Sequence, residues 1–396
     1  MAISLLGRQL RAHRVRRRMT QGELASAAGV STDLVRKLEQ GQRQSAGLDS
    51  IAKLAGALDI TMADLLDKPR VLAGGEDGEL GALRRAVLGV APLDQEPPTL
   101  TELRTVLAGL WQTYWTGRYA YLARELPPRI SQARALARSA PAANQAAAQS
   151  LLASVMQMTS SLLAHLAHED LAHLALVAAE QAATAAGDEL LYASQQATRA
   201  WVLSRQGLWT ESEQVATTAA AAIEPRLSQA DVHHVAVWGE LLRYGCTAVA
   251  RSGRDAEAKE LLGLVQAAAH RVGGDVPTRY VGGVFGPTVA AMKAVDVAVS
   301  ADRPRAAIRL AEQIDHPEHV PTAMHARYLL GVAWAQTADW RSQDAVDVLR
   351  RVDQLAPEVL AHQTLARVII EELLPRRQRQ RLPGLVALAE RVGVAG

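Results

Sequence analysis

The sequence is short of the residues that build a β core or a disulfide framework. Its 396 residues include one cysteine, Cys246, and one phenylalanine, Phe285, and aromatic residues total 4%. A single cysteine excludes a disulfide scaffold and a cysteine-based zinc site. So few aromatics, beside abundant Ala, Leu and Val, disfavour a sandwich or barrel and favour closely packed helices. No apolar run reaches the roughly 18 residues of a membrane span. The first twenty residues carry six arginines, too many for a signal peptide. The chain is therefore expected to be soluble and cytoplasmic, with no membrane partner. No nucleophile elbow, Walker loop or strand-linked GxGxxG is present, so the expectation is no enzyme, no catalytic residues, no cofactor and no metal.

What charge there is lies unevenly. The overall balance is +2, but residues 1–68 hold 11 basic and 7 acidic residues, against 32 and 34 in the remainder. Six arginines, Arg8 to Arg18, precede the first carboxylate, Glu23. A positive head on a near-neutral body suits a polyanion partner for the head, or a solvated basic helix, and composition leaves both open.

The head reads as five short helices. Leu5, Leu6, Leu10 and Val15 form a first apolar stripe. Thr20-Gln21-Gly22-Glu23 is a capping box opening a second helix, which Gly29 ends. Ser31 caps a third helix from Thr32 to Gln40, closed by Gly41. Ile51, Leu54, Ala55 and Leu58 mark a fourth helix. Thr61-Met62-Ala63-Asp64 is a second capping box, opening a fifth.

A capped helix, a Gly turn and a Ser-capped helix make helix-turn-helix order. Thr20-Gln21-x-x-Leu24-Ala25-x-x-x-Gly29-Val30-Ser31, then Leu38-Glu39-x-Gly41 and Leu48-x-x-Ile51-x-x-Leu54-Ala55-x-x-Leu58, resembles the XRE family of lambda-repressor/Cro-like DNA-binding domains. Arg36-Lys37 departs from it, where the family often carries a Ser and a variable residue. The resemblance implies that the third helix enters the major groove, with Thr32, Asp33 and Arg36 toward base edges. Arg36 has the fork that pairs with guanine. Gln21 is placed against a phosphate or an adjoining base. Ser31, Lys37, Gln40, Gln42, Arg43 and some of the early arginines, Arg17 among them, are placed on the DNA backbone.

Residues 68–98 read as a connector, broken by Pro69, Gly74-Gly75, Pro92 and Pro97-Pro98, with one short helix within Gly78 to Leu88. Thr99-x-x-Glu102 then caps a body, residues 99–396. Helix pairs recur around Gly117, Ala167, Gly207, Gly253, Asp302 and Ala338, at intervals of roughly 35 to 50 residues against about 34 in a tetratricopeptide repeat. Gly331 is expected at a close helix crossing, and Pro357 at the end of a unit. The fold class expected is all-α: a head at 1–67 and a tetratricopeptide-like α-solenoid.

Trp111-x-x-Tyr114-x-x-Gly117-Arg118-Tyr119, Val284-Phe285-Gly286-Pro287-Thr288 and the ending from Pro357-Glu358 to Arg391-Val392-Gly393 are similar to the tetratricopeptide-like bodies joined to XRE domains in many actinobacterial regulators. That resemblance implies a transcription regulator whose concave face, lined by the first helix of each pair, senses a small molecule or a peptide. The face counted from the turns holds Trp111, Tyr114, Gln157, Ser161, Trp201, Glu240, Arg243, Thr247, Phe285, Thr288, His325 and Tyr328, with Arg243 as the anchor for an acidic group. A homodimer on a double-stranded operator is expected, because one head spans a half-site. The competing reading is an adaptor, its groove holding a partner protein while the head tethers it to DNA.

His165, Glu169 and His173 share a zinc-like spacing but straddle an expected turn, which breaks the face. Cys246, mid-helix among apolar residues, reads as an inert core thiol. His233-His234 and His316/His319 read as surface histidines. The basic run Arg376 to Arg381 reads as a solvated loop or a helix end favoured by the dipole, ahead of a second DNA contact.

Overall fold

The caps and turns that the residues dictate fall where helices begin and end. A computed structural model describes residues 5–43, 46–58, 60, 65, 78–90, 98–378 and 381–394. Among these are twenty α-helices and one two-stranded hairpin, so the chain is all-α, a short-helix head followed by a repeat-like helical body. Among the described residues, no helix is long and apolar enough to cross a membrane.

In the head, α1 (Leu5–Arg16), α2 (Gln21–Ala28), α3 (Thr32–Glu39) and α4 (Leu48–Ala57) surround one core. Glu23 N–H donates to Thr20 Oγ1 (3.1 Å) and Thr20 N–H to Glu23 Oε2 (2.6 Å), which completes the capping box. Gly29 takes φ +61, a conformation a side chain resists, and turns the chain into Ser31, whose hydroxyl caps α3. Leu6, Leu10, Leu24, Val35, Leu38, Ile51 and Leu54 fill the centre. Val15 does not join them: it is 57% exposed. Five residues beyond Leu10, it sits about 140° round the helix from that stripe. The capping box expected at Thr61 lies outside the described residues.

Beyond α5 (Glu79–Leu88) come six helix pairs: α6 (Leu100–Trp115) with α7 (Tyr119–Ser139), α8 (Gln145–His165) with α9 (Glu169–Ala186), α10 (Glu189–Gln206) with α11 (Trp209–Ala222), α12 (Val232–Arg251) with α13 (Asp255–Val272), α14 (Pro287–Ser300) with α15 (Pro304–Ala311), and α16 (Thr322–Ala338) with α17 (Ser342–Leu355). Each pair turns on one left-handed residue: Gly117, Ala167, Gly207, Gly253, Asp302 and Trp340. Five are those expected. In the sixth turn the left-handed residue is Trp340 rather than Ala338, because α16 runs to Ala338 before it ends. Gly331 is not a crossing point either, since a side chain there would meet nothing within 4 Å. Gly117 is one: a Cβ at that position would fall 2.6 Å from Val359.

That contact closes the body on itself. The short helices α18 (Pro357–His362) and α19 (Thr364–Leu373) return to the first pair. Ala120 N–H donates to Glu358 (2.8 Å), and the Tyr119 and His362 rings lie 5.9 Å apart. Pro357 opens α18 at its first turn, where a missing N–H costs nothing. The helices thus run round a central, partly open cavity, the first pair meeting the last. The hairpin pairs Val276 with Phe285 and Pro277 with Val284, and it covers one side of that space.

Candidate nucleic-acid interface and body cavity

Helix α3 presents Thr32, Asp33, Arg36, Lys37 and the following Gln40 to solvent, with Ser31 at its start. Positions 32, 33, 36, 37 and 40 recur at helical spacing and make one face. Gln42 and Arg43 are exposed just beyond it, and Arg17 is exposed after α1. Asp33 accepts from both Arg36 (2.5 Å) and Lys37 (2.6 Å). Those bonds, Lys37 first, hold its carboxyl below the usual range. All three side chains are about half exposed, where such pairs contribute little, so nucleic acid can replace Asp33 as the partner of either cation.

Gln21 is only half exposed, and its amide donates to Glu39 (2.8 Å). Glu39, 4% exposed, also takes a two-pronged bond from Arg14 at 2.6 and 2.8 Å. Burial alone raises its carboxyl, but the Arg14 and Gln21 bonds outweigh that and hold it low. Arg14 therefore faces inward, tying α1 to α3, and is set apart from the exposed arginines. Glu39 and Arg14 were legible only as the Glu of Leu38-Glu39-x-Gly41 and one arginine in a run.

In the body, all six first helices contribute to the central cavity. Its inner part, about 50 Å³, is walled by Trp111, Tyr114, Trp115, Trp201, Tyr244 and Tyr280. It opens into a basin of about 310 Å³ bounded by Arg205, Trp209, Arg243, Lys293, Asp296 and Arg327. That basin is within the size range of small-molecule sites. Trp115 donates to Val281 O (2.5 Å) and Tyr280 to Asp188 (3.0 Å), which pins the hairpin over the inner part. Tyr114 meets His165 Nε2 at 3.1 Å, and burial pushes its phenol well up.

Of the residues expected on this face, Trp111, Tyr114, Ser161, Trp201, Glu240 and Arg243 line the inner part. Thr247 and Tyr328 line the basin. Gln157 stands one layer back, fully buried, donating to Ser194 O (3.0 Å) and Thr198 Oγ1 (2.8 Å), which do line it. His325 is buried beside the wall: α16 turns Met324, Arg327 and Tyr328 inward, one residue off the counted register. Burial lowers its imidazole, favouring the neutral ring. Phe285 lies in a separate core, and Thr288 stands at the start of α14, its N–H bonded to Asp275. Neither lines the space.

Arg243 does line it, but its charge is matched by Glu240 Oε2 (2.5 Å) while it stacks on Tyr244 (4.2 Å). Lys293 and Arg251 share Asp296, at 2.6 and 3.3 Å. Burial raises the Asp296 carboxyl, yet Lys293 and Arg251 overcome this and bring it to about 2. Arg205, Arg327 and Trp115 were missed; the only sequence signal was their helical spacing from Trp201, Met324 and Trp111.

The expected turn does separate His165 from Glu169, and His165 and His173 bond elsewhere, to Tyr114 and to Gln206. Among the described residues, His316, Glu318 and His319 are the group close enough to share an ion, and all are exposed. Cys246 is buried with its thiol pushed up to about 11, which suits an inert core residue. Arg376 packs on Trp340 (4.2 Å) and bonds Thr337 O (2.9 Å).

Residues 5–67 match the family model of a helix-turn-helix domain. No curated protein and no solved structure matches the chain. The helix-turn-helix match makes the chain a DNA-binding regulator, with the exposed face of α3 as the candidate reading surface.

Proposed function

From the premise of a helix-turn-helix head, we propose that this is an XRE-type transcription regulator in which a tetratricopeptide-like body, residues 99–396, binds a small-molecule effector and thereby sets the operator affinity of a dimer. Residues 1–67 form the reading head and 68–98 the connector. Arg36, Thr32 and Asp33 read bases, and Ser31, Lys37, Gln40, Gln42, Arg43 and Arg17 lie along phosphates, with Gln21 beside them.

The observation that carries this reading is a shared wall. Trp209 bounds the basin and also packs against the head core. Val368, buried in that same head core, stands on α19, whose Thr364 and Leu365 bound the basin. A ligand that prefers one arrangement of Trp209 and α19 shifts the head with it, because the two states then differ in ligand affinity. Two heads must sit about one DNA turn, or roughly 34 Å, apart, so a small shift of each matters. The small volumes of the recess and basin favour a small effector over a peptide, and over the adaptor alternative, whose partner is a protein.

The test is native mass spectrometry of the full chain with a metabolite extract, alongside anisotropy on a selected operator. A dimer that gains a discrete small mass and changes operator affinity is expected. A mass gain with unchanged affinity, or capture of a folded protein in place of a small mass, overturns the sensor.

A further inference from the structure

We infer that the cavity takes a small organic acid, a carboxylate carried on a flat apolar frame, and that Arg205 and Arg327 hold the carboxylate. The inference rests on the reading of the body as a small-molecule sensor and names the class of molecule.

Five cations bound the cavity, and they are not equivalent. Arg243 is matched by Glu240, and Lys293 and Arg251 by Asp296. Among the described residues no carboxylate comes within ion-pair distance of Arg205 or Arg327. Arg327 donates its Nε to Ala323 O (3.0 Å), leaving its terminal nitrogens for another partner. The Nε of Arg205 is shut from water and has no hydrogen-bond partner. Each guanidinium rests on an indole: Arg205 over Trp201 and Arg327 over Trp115, both at 5.3 Å. Both indoles also wall the inner part.

Two guanidiniums without an ion-pair partner, beside a buried aromatic recess, form a costly arrangement. Burial lowers the Arg205 guanidinium; Glu169, on the same basin but beyond ion-pair distance, pulls the other way, and the charge of Arg327 adds to the lowering. An anion removes that repulsion. The guanidinium fork suits a carboxylate in particular, since both oxygens accept in one plane. The aromatic walls behind the forks then take a flat apolar frame, and a Trp face accepts it without a polar group left unpaired. Arg243 is a poorer anchor, because an incoming acid must first displace Glu240.

The experiment is calorimetric titration of the full chain with benzoate, naphthoate and phenylacetate, each beside its primary amide. At least one acid is expected to bind, and its amide to bind about tenfold more weakly or worse. Arg205→Gln and Arg327→Gln are each expected to lose about tenfold in acid affinity and nothing for the amide. Arg327→Lys, which keeps charge without the fork, loses less. Circular dichroism melting verifies that each variant is folded. Acids and amides binding alike, unchanged affinity in both Gln variants, or no binding by any acid overturns the inference. Operator affinity, read in the same samples, separates the two proposals. An acid bound through both arginines without effect on operator affinity sinks the sensor and keeps the acid site. An uncharged molecule that binds and shifts operator affinity does the reverse.

Discussion

The tip of the Phe285 ring fills the space where residue 239 would carry a Cβ. Phe285 is fully buried, and Gly239, mid-way along α12, offers bare backbone to it. The single phenylalanine thereby locks the hairpin to α12, beside the cavity residues Val237 and Glu240. Trp115 to Val281 and Tyr280 to Asp188 add hydrogen bonds to this attachment.

Gly239→Ala should therefore force the ring out of place. Overpacking of this kind costs about 1–3 kcal/mol. Urea unfolding should show the loss, and tryptophan emission should change as the hairpin lifts from Trp115. An unchanged midpoint would mean the ring is free to move.

Glu39→Ala should leave the part-buried Arg14 without its carboxylate partner. Breaking a buried pair costs about 3–5 kcal/mol, reduced here because Arg14 keeps some exposure and a bond to Met19 O. Hydrogen exchange confined to α1–α3 should accelerate in the full chain, while α8–α14 stay protected.

The same carboxylate makes the head acid-sensitive. Its folded value lies below the ordinary 4.5. The folded state therefore binds this proton less readily than the unfolded one. The stability it contributes is complete above 4.5 and disappears as the pH falls from there through the lower folded value. Glu39→Gln should flatten the pH dependence of head exchange in that window; an identical slope in both proteins contradicts the assignment.

On DNA, Arg36→Ala should relax base preference at one position, and Lys37→Ala should weaken all sequences alike and reduce the salt slope by about 1. Equal losses for Arg36→Ala on operator and random duplex would remove it from base reading.

Trp209→Ala should weaken the effect of saturating ligand on the operator, with coupling falling by about 0.5–2 kcal/mol. The measurement is operator affinity with and without saturating ligand. Full coupling in the variant would place transmission elsewhere.

Much of the fold was legible because it is local. Capping boxes at Thr20 and Thr99, the Ser31 cap and the left-handed turns at Gly29, Gly117, Gly207 and Gly253 depend on a few neighbouring residues, and all are present. The helix pairs follow from those turns. Register was less legible: Val15 and His325 each lie one or two positions off the face assigned to them, since 3.6 residues per turn tolerates no slip.

The sequence by itself determined the head and the pairing of helices. Only the tertiary structure decided that the body closes, through Gly117 against Val359 and Ala120 against Glu358. It alone also decided which cations are neutralised. Glu240 reaches Arg243 from the preceding turn and Asp296 reaches Arg251 across two helices, while Arg205 and Arg327 are left on their indoles. Charge pairing across helices depends on distances of a few ångströms set by packing.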